Sequence, residues 1–394
     1  MNILGIETSC DETAAAVVQN GTTLLSNVVA TQIDLHVQYG GVVPEVAARS
    51  HIEVMLPVVE KALEKAFSSG DRESYIVDRG KTDRPNPNYD LRTPNPEYWD
   101  LIDGIAVTAG PGLLGSLLIG TLTARTLAEI KNKSLYGINH VEAHVYANFI
   151  GDRESYMVDR DKTNRPNPNH ELPSPNPDFP LLALIISGGH SQIVLFRGHL
   201  DYRVLGQTRD DAAGEAFDKI AKLLGLGFPG GPAIAKAALL GNDQAFTFPK
   251  AKLGKDSLDY SFSGVKTAVL RQVQQLAGLD HTARSWELHH KLTARQKNDL
   301  AASFQKTVVD TLVDRTVVAY ERHHPKTVVI AGGVAANQAL RDELRRRLPI
   351  PISYPPPSLC TDNAAMVAAL GYHYALADKH IDPAILEADS SLAM

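Results

Sequence analysis

With 394 residues, 44% of them hydrophobic and 21% charged, the chain has the composition of an ordinary globular protein, and its length allows two or three domains. The formal net charge of −6 excludes a global basic field, so an RNA substrate would have to be met by local patches or through a partner. Cys10 and Cys360 are the only cysteines, which excludes a disulfide framework and points to a reducing compartment. The start, Met1 to Glu7, lacks a basic leader region, and no apolar run reaches the roughly 20 residues of a membrane span; the expectation is a cytoplasmic protein with no membrane partner.

Residues 2–7 read as a buried strand, Thr8 to Thr13 as a polar turn and Ala14 to Val18 as a second strand. Such a tip presents hydroxyls and backbone amides to which a phosphate can bind, although Ser and Thr are equally at home in a plain hairpin. A strand from Thr22 to Val29 follows. Gly40-Gly41-Val42-Val43-Pro44-Glu45 then opens a helix predicted to run to about Phe67, the Pro-Glu pair suiting a helix start.

Residues 70–99 and 151–179 form an internal repeat: Gly70-Asp71-Arg72-Glu73-Ser74-Tyr75 recurs as Gly151-Asp152-Arg153-Glu154-Ser155-Tyr156, and Arg84-Pro85-Asn86-Pro87-Asn88 as Arg165-Pro166-Asn167-Pro168-Asn169. Two copies rich in Pro, Asn and charge cannot stack into a solenoid; they read as surface insertions.

Between the repeats, Gly104 to Thr108 is a strand. Ala109-Gly110-Pro111-Gly112-Leu113-Leu114-Gly115-Ser116 leads from it into a helix reaching about Lys131. The glycines suit either an anion at the helix start or close packing of helix on strand. Ser134 to Ile138 is a further strand, followed by His140-Val141-Glu142-Ala143-His144. Histidines four apart share one helix face and can reach one metal ion. Glu142 lies roughly 200° round the helix from His140, and Val141 stands where a metalloprotease helix places its general base. Asp362, in Cys360-Thr361-Asp362-Asn363, is the candidate third ligand; a His-His-Asp set with open positions suits zinc or iron(II).

After the second repeat the opening pattern returns. Leu181 to Ile186 is a strand, Ser187-Gly188-Gly189-His190-Ser191 a turn whose glycines admit close approach of a ligand, and Gln192 to Phe196 a strand. Asp210 to Lys219 opens a helix on which Glu215 and Asp218 share a face. Phe228-Pro229-Gly230-Gly231-Pro232 is a tight turn before another helix, and Tyr260 to Thr267 a hydroxyl-rich helix entry. Thr327 to Ile330 is a strand leading through Ala331-Gly332-Gly333-Val334 to Asn337, a candidate polar hook for a nucleoside. The following helix carries Arg341, Arg345, Arg346 and Arg347, a solvated face or an RNA-phosphate patch.

Taken in order, Gly5-Ile6-Glu7-Thr8-Ser9-Cys10-Asp11-Glu12-Thr13, Gly40 to Glu45, Thr108 to Leu113, His140 to His144, Ser187 to His190, Asp210 to Lys219, Pro229 to Pro232, Ser261-Phe262-Ser263-Gly264, Ala331 to Val334 and Cys360 to Asn363 resemble the motifs of the tRNA adenosine threonylcarbamoyltransferase (TsaD) family. The resemblance covers nearly everything outside the two repeats. It implies an α/β chain of actin/Hsp70/sugar-kinase-like (ASKHA) fold, two lobes around a nucleotide-binding cleft. The expected division is an N-terminal lobe over 1–135, the histidine helix with the second insertion over 136–180, and a C-terminal lobe over 181–394. It implies transfer of a threonylcarbamoyl group from threonylcarbamoyl-AMP to the exocyclic amine of the adenosine beside the anticodon, in tRNAs that read codons beginning with A.

By the same resemblance His140, His144 and Asp362 match the ligands of one divalent metal per subunit, iron(II) or zinc. Ile185, Ile186, Ser187, Gly188, Gly189, Asp218, Gly231 and Asn337 match its substrate-binding positions. Asp11 or Glu12 is the candidate proton acceptor, and Cys10 is expected to be structural. Partners so implied are tRNA, a TsaB-like paralogue and a TsaE-like ATPase. One departure is Ala235, where the family often carries an acidic residue. A kinase of the same fold would not need the His-His-Asp set, and a non-catalytic paralogue would be expected to lack it.

Overall fold

The computed structural model describes residues 1–68, 96–151, 177–254, 256–279 and 288–394, together with the backbone of Tyr75–Val77. The chain forms two compact units, one from Met1–Pro177 with Pro355–Met394 and the other from Asp178–Tyr354.

In the first unit the strands are β1 (Asn2–Glu7), β2 (Glu12–Gln19), β3 (Thr23–Thr31), β4 (Tyr75–Val77), β5 (Gly104–Gly110) and β6 (Ser134–Asn139), in the sheet order β4-β3-β2-β1-β5-β6. β1, β2 and β3 form an antiparallel meander, and β5 and β6 extend it in parallel from the other side of β1. β1 is apolar on both faces, as a strand covered on both sides must be. Its Leu4 and Ile6 join a core with Met55, Val58 and Leu63 of the Pro44–Phe67 helix and Ala124 and Ala128 of the Leu114–Lys131 helix. Its other face takes the Ala364–Leu376 helix: a Cβ on Gly5 would lie 2.2 Å from Ala364 O, and one on Gly371 3.3 Å from Ile3 Cγ2. That helix is alanine-rich because the sheet comes so close; Ala364, Ala365, Ala368 and Ala369 are fully buried.

The division expected from the sequence placed this helix with residues 181–394, whereas Pro355–Met394 belongs to the first unit. The reason is packing: the smooth alanine face fits closely against Gly5 of β1. The two repeats fall mostly on residues 69–95 and 152–176, outside the described residues. Tyr75–Val77 pairs in parallel with β3, and Gly151 N–H donates to Thr22 O at 2.9 Å.

The second unit contains β7 (Leu181–Ile186), β8 (Ser191–Gly198), β9 (Asp201–Gln207), β10 (Thr327–Ala331) and β11 (Ile352–Ser353), in the order β11-β10-β7-β8-β9. Here too the first three strands are antiparallel and the last two parallel. The helices Ala213–Leu224, Gly230–Ala238 and Ala294–His323 pack together, with the Phe217 and Phe304 rings edge to face at 5.3 Å. A capping box, Thr293 with Gln296, starts the longest helix. Among the described residues, no helix is long and apolar enough to cross a membrane.

Candidate metal centre and substrate turns

His140 is the first residue of the short helix His140–Tyr146, which springs from the end of β6. The i, i+4 spacing places the His140 and His144 rings 4.7 Å apart, edge to face. Asp362 lies just before the Ala364–Leu376 helix, and its Oδ1 is 3.6 Å from His140 Nε2 and 3.3 Å from His144 Nε2. One ligand atom from each of the three residues lies within 4.8 Å of the others. Both ring nitrogens of His144 are buried without a hydrogen-bond partner, a costly state for polar atoms unless something else coordinates them. Two imidazole nitrogens and a carboxylate oxygen are a donor set that zinc and iron(II) accept, so the residues present fit the metal. The Asp362 side chain is 21% exposed against 8% and 1% for the histidines, so the centre opens to solvent on the aspartate side.

Behind the ligands stands Glu7, fully buried at the end of β1. Its Oε2 is 3.0 Å from His140 Nδ1 and accepts from Thr108 Oγ at 2.6 Å, while Oε1 accepts from Ser9 N–H at 2.5 Å. This carboxylate–histidine pair fixes the ring so that Nε2 faces the centre. Burial pushes the Glu7 carboxyl up, but the charge of His140 and the hydrogen bonds from His140 and Thr108 bring it below its usual value. Burial lowers the affinity of His140 for its proton, and the Glu7 and Asp362 carboxylates outweigh that and raise it to about 9. A ligand-free centre at neutral pH therefore carries an imidazolium between two carboxylates, in the place where a cation belongs. In the sequence Glu7 stands out only as part of the Gly5-to-Thr13 motif. The signal available was a glutamate ending an otherwise apolar buried strand, which is rarely fully buried without a partner.

Of the proton-acceptor candidates, Asp11 is buried and Glu12 half-buried. The Glu12 carboxyl is held well above its ordinary value, first by burial and then by the charges of Asp11 and Asp362. A divalent cation at the centre would pull it back down. Burial and the neighbouring carboxylates also push the Cys10 thiol far up, so it is no thiolate. Glu142 is buried on the side of the helix away from the centre, and burial, only partly offset by Lys379, raises it to about 7.

The predicted substrate positions all lie in the second unit. Ile185 and Ile186 end β7 and are fully buried. In the turn that follows, Ser187 N–H donates to His190 O at 2.8 Å, and neither Gly188 nor Gly189 has a neighbour within 4 Å of where a Cβ would stand. Gly231 is equally open, whereas a Cβ on Gly230 would lie 2.4 Å from Asp218 Cα. Asp218 Oδ1 accepts from Gly230 N–H at 2.7 Å, so this aspartate anchors the start of the Gly230–Ala238 helix. Asn337 caps the Gln338–Arg347 helix, its Oδ1 accepting from Leu340 N–H at 3.2 Å and its Nδ2 donating to Gln305 at 3.0 Å.

The arginine run of that helix is not a uniform solvated face. Arg341 is buried, stacks 3.8 Å from the Tyr354 ring centre and donates to Ala335 O. Arg345, Arg346 and Arg347 pair with Asp342, Glu343 and Asp314. Asp210 does not open its own helix. It accepts from Ser261 Oγ, Phe262 N–H and Ser263 N–H at 2.5, 2.7 and 3.2 Å, capping the start of Ser263–Ala277. Burial would raise its carboxyl, and these bonds keep it below the usual range.

The twice-used sheet has a counterpart in the T. kodakarensis HypF crystal structure, with a TM-score of 0.55 at 13% identity, covering 95% of this chain and 48% of that one. The class is thus an α/β protein of actin/Hsp70/sugar-kinase-like fold. A family model described as "TsaD: tRNA N6-adenosine threonylcarbamoyltransferase" matches residues 23–76, 98–159 and 168–369. The tRNA N6-adenosine threonylcarbamoyltransferase of Thermomicrobium roseum is 47% identical over 382 residues, 95% of this chain and 92% of the relative. That of Desulfitobacterium hafniense is 47% identical over 387 residues, 97% and 94%. The chain belongs to the tRNA N6-adenosine threonylcarbamoyltransferase family and is a transferase that modifies tRNA.

Proposed function

We propose that the chain moves a threonylcarbamoyl group from threonylcarbamoyl-AMP to the exocyclic amine of the adenosine adjacent to the anticodon. The tRNAs served are those reading codons that begin with A. One divalent metal, iron(II) or zinc, is held by His140, His144 and Asp362. The observation that carries the metal reading is the convergence of the three ligand atoms within 4.8 Å, with Glu7 orienting His140 from behind. When bound, the metal supplies Lewis-acid polarisation of the transferred carbonyl.

The protein's own residues do the rest. Ser187, Gly188 and Gly189 present backbone amides to the phosphate of the adenylate. Gly231 leaves room for the nucleoside, Ile185 and Ile186 back it, and Asp218 and Asn337 hold the helix starts around it. An adenine amine is a poor nucleophile, so orientation matters more than base strength; Asp11 or Glu12 accepts its proton.

For partners we propose a TsaB-like paralogue and a TsaE-like ATPase, in the cytoplasm. The paralogue reading is supported by an apolar stripe on two neighbouring helices: Ile52 and Leu56 on one, Leu114, Leu118 and Leu122 on the other, between 41% and 64% exposed. A stripe of this kind marks a docking surface.

The test is transfer from preformed threonylcarbamoyl-AMP to unmodified tRNA, with partners added and withheld, for wild type and the His140→Ala, His144→Ala double variant. Bound metal is counted in parallel. Modified adenosine from wild type and none from the variant is the expected result. Full activity in the variant, or in wild type stripped of metal, would overturn the metal centre.

A further inference from the structure

The helix that carries both histidines has fewer than ten residues, so its position depends on its ends more than on its own stability. Its N-terminus is capped by Asn139, whose Oδ1 accepts from the Val141 and Glu142 N–H groups at 2.9 and 3.1 Å. The same buried amide donates through Nδ2 to the carbonyl oxygens of Leu392 and Ala393, both at 3.3 Å. A carboxamide can be turned end for end, exchanging acceptor and donor. A carbonyl oxygen can only accept, so these two select the amide nitrogen and keep the Asn139 oxygen aimed at the helix.

The segment supplying those carbonyls is itself tied down. Asp389 N–H donates to Ala109 O at 2.8 Å, and Gly112 N–H to Ser390 O at 3.4 Å. The Asp389 carboxylate accepts from both N–H and Oγ of Ser391 at 2.8 Å, and Leu392 packs against the core. A Cβ on Gly110 would lie 1.8 Å from Asp389 O, so only glycine lets the segment lie across the end of β5.

We propose that Asp389–Ala393 is a positioning element of the metal centre: it holds Asn139 in the capping orientation and thereby sets where His140 and His144 stand. Its effect on metal rests on the ligand reading above, while its effect on the cap does not. Two readouts keep these apart: hydrogen exchange at the Val141 and Glu142 amides, and zinc affinity measured against a chromophoric chelator.

The variants are a chain ending at Asp389, Asn139→Asp in the full chain, and both changes together. Removing Ser390 onward should speed exchange at the two amides roughly five- to tenfold, the weight of a helix cap, and weaken zinc binding about tenfold, as loss of an outer support does. Asn139→Asp in the full chain should do the same, because its second oxygen then opposes two carbonyls. In the shortened chain Asp has no such opposition and is a good cap, so the combined variant should exchange more slowly and bind zinc more tightly than the shortened chain alone. That reversal of sign is the signature a merely destabilising deletion does not produce. Additive losses, or unchanged exchange in the shortened chain, would overturn the proposal. If the shortened chain fails to fold, Asn139→Asp decides alone, unchanged exchange overturning it. Altered exchange with no zinc bound by any variant would leave the cap standing and remove the ligand reading.

Discussion

Apart from the edge strand β4, the two units share one sheet plan, three antiparallel strands followed by two parallel ones on the other side of the first, yet particular glycines around their opening hairpins are used differently. In the first unit they let elements touch. A Cβ on Gly112 would lie 2.5 Å from Ser9 O, one on Gly120 2.3 Å from Thr8 Oγ, and one on Gly5 2.2 Å from Ala364 O. In the second unit Gly188, Gly189 and Gly231 face open space. The first unit fills the tip of its opening hairpin with protein and gathers a buried charge cluster beside it; the second packs Gly214 against one side of its tip, where a Cβ would lie 2.5 Å from Ser187 O, and leaves the other side, at Gly188 and Gly189, open. One fold thus yields a packed cluster of candidate ligands and a turn open on one side, and the residue type alone does not tell which.

The sharpest way to break this contrast is to remove a candidate ligand. His144→Ala should abolish metal binding and reduce transfer by about 10³-fold or more, since the ligand itself matters more than the outer supports worth 10–100-fold; the melting temperature of the metal-free protein should hardly move. Next comes Glu7→Gln, which keeps the shape of the His140 partner and loses its charge. It should weaken metal affinity by roughly 10–100-fold, as read by chelator competition. An affinity equal to wild type would show that Ser9, whose Oγ lies 3.2 Å from His140 Nδ1, orients the histidine without the Glu7 charge.

Gly5→Ala tests the packing role. Its methyl meets the backbone of the Ala364–Leu376 helix, so overpacking should cost about 1–3 kcal/mol in denaturant unfolding and shift Asp362 with the helix. Gly188→Ala is the matched control. It should change stability by less than about 0.5 kcal/mol while raising the KM for the adenylate; equal destabilisation by the two variants would erase the distinction between packed and open glycines.

A smaller effect concerns pH. Glu142 is raised to about 7 in the folded chain from an ordinary 4.5. The folded state then holds the proton that the unfolded state releases, so this residue makes stability fall as pH rises from about 4.5 to about 7, with the full penalty above. Glu142→Gln should therefore gain stability at pH 8 and show no gain at pH 4, checked by urea titrations at both.

Much of this was legible in the sequence. The apolar runs of β1, β5, β7 and β10, the ends of the Pro44–Phe67 and Leu114–Lys131 helices and the His140/His144 pair were readable because period and turn chemistry are local. Asp362 was a candidate third ligand from its place between a proline-rich loop and a helix, and the family resemblance matched it again, but nothing local shows that it meets residues so far away in the chain. Glu7 and Asn139 escaped because a glutamate after a strand and an asparagine before a helix have common uses, and only the folded neighbourhood shows that they grip His140 and the start of its helix. The arginine run was only partly legible: Asp342 and Glu343 stand within it in the sequence, but neither Asp314 beside Arg347 nor the tyrosine under Arg341 could be placed there.

The placement of Pro355–Met394 in the first unit has a consequence for how the protein is made. His140 leaves the ribosome well before Asp362, and at roughly 5–20 residues per second the delay is on the order of tens of seconds. During that time β1 lacks the alanine-rich helix over one face, and the two histidines lack Asp362 beside them. The proposed three-ligand centre is therefore incomplete as the nascent chain emerges. On the proposed ligand set, loading waits until the whole intervening unit has been synthesised.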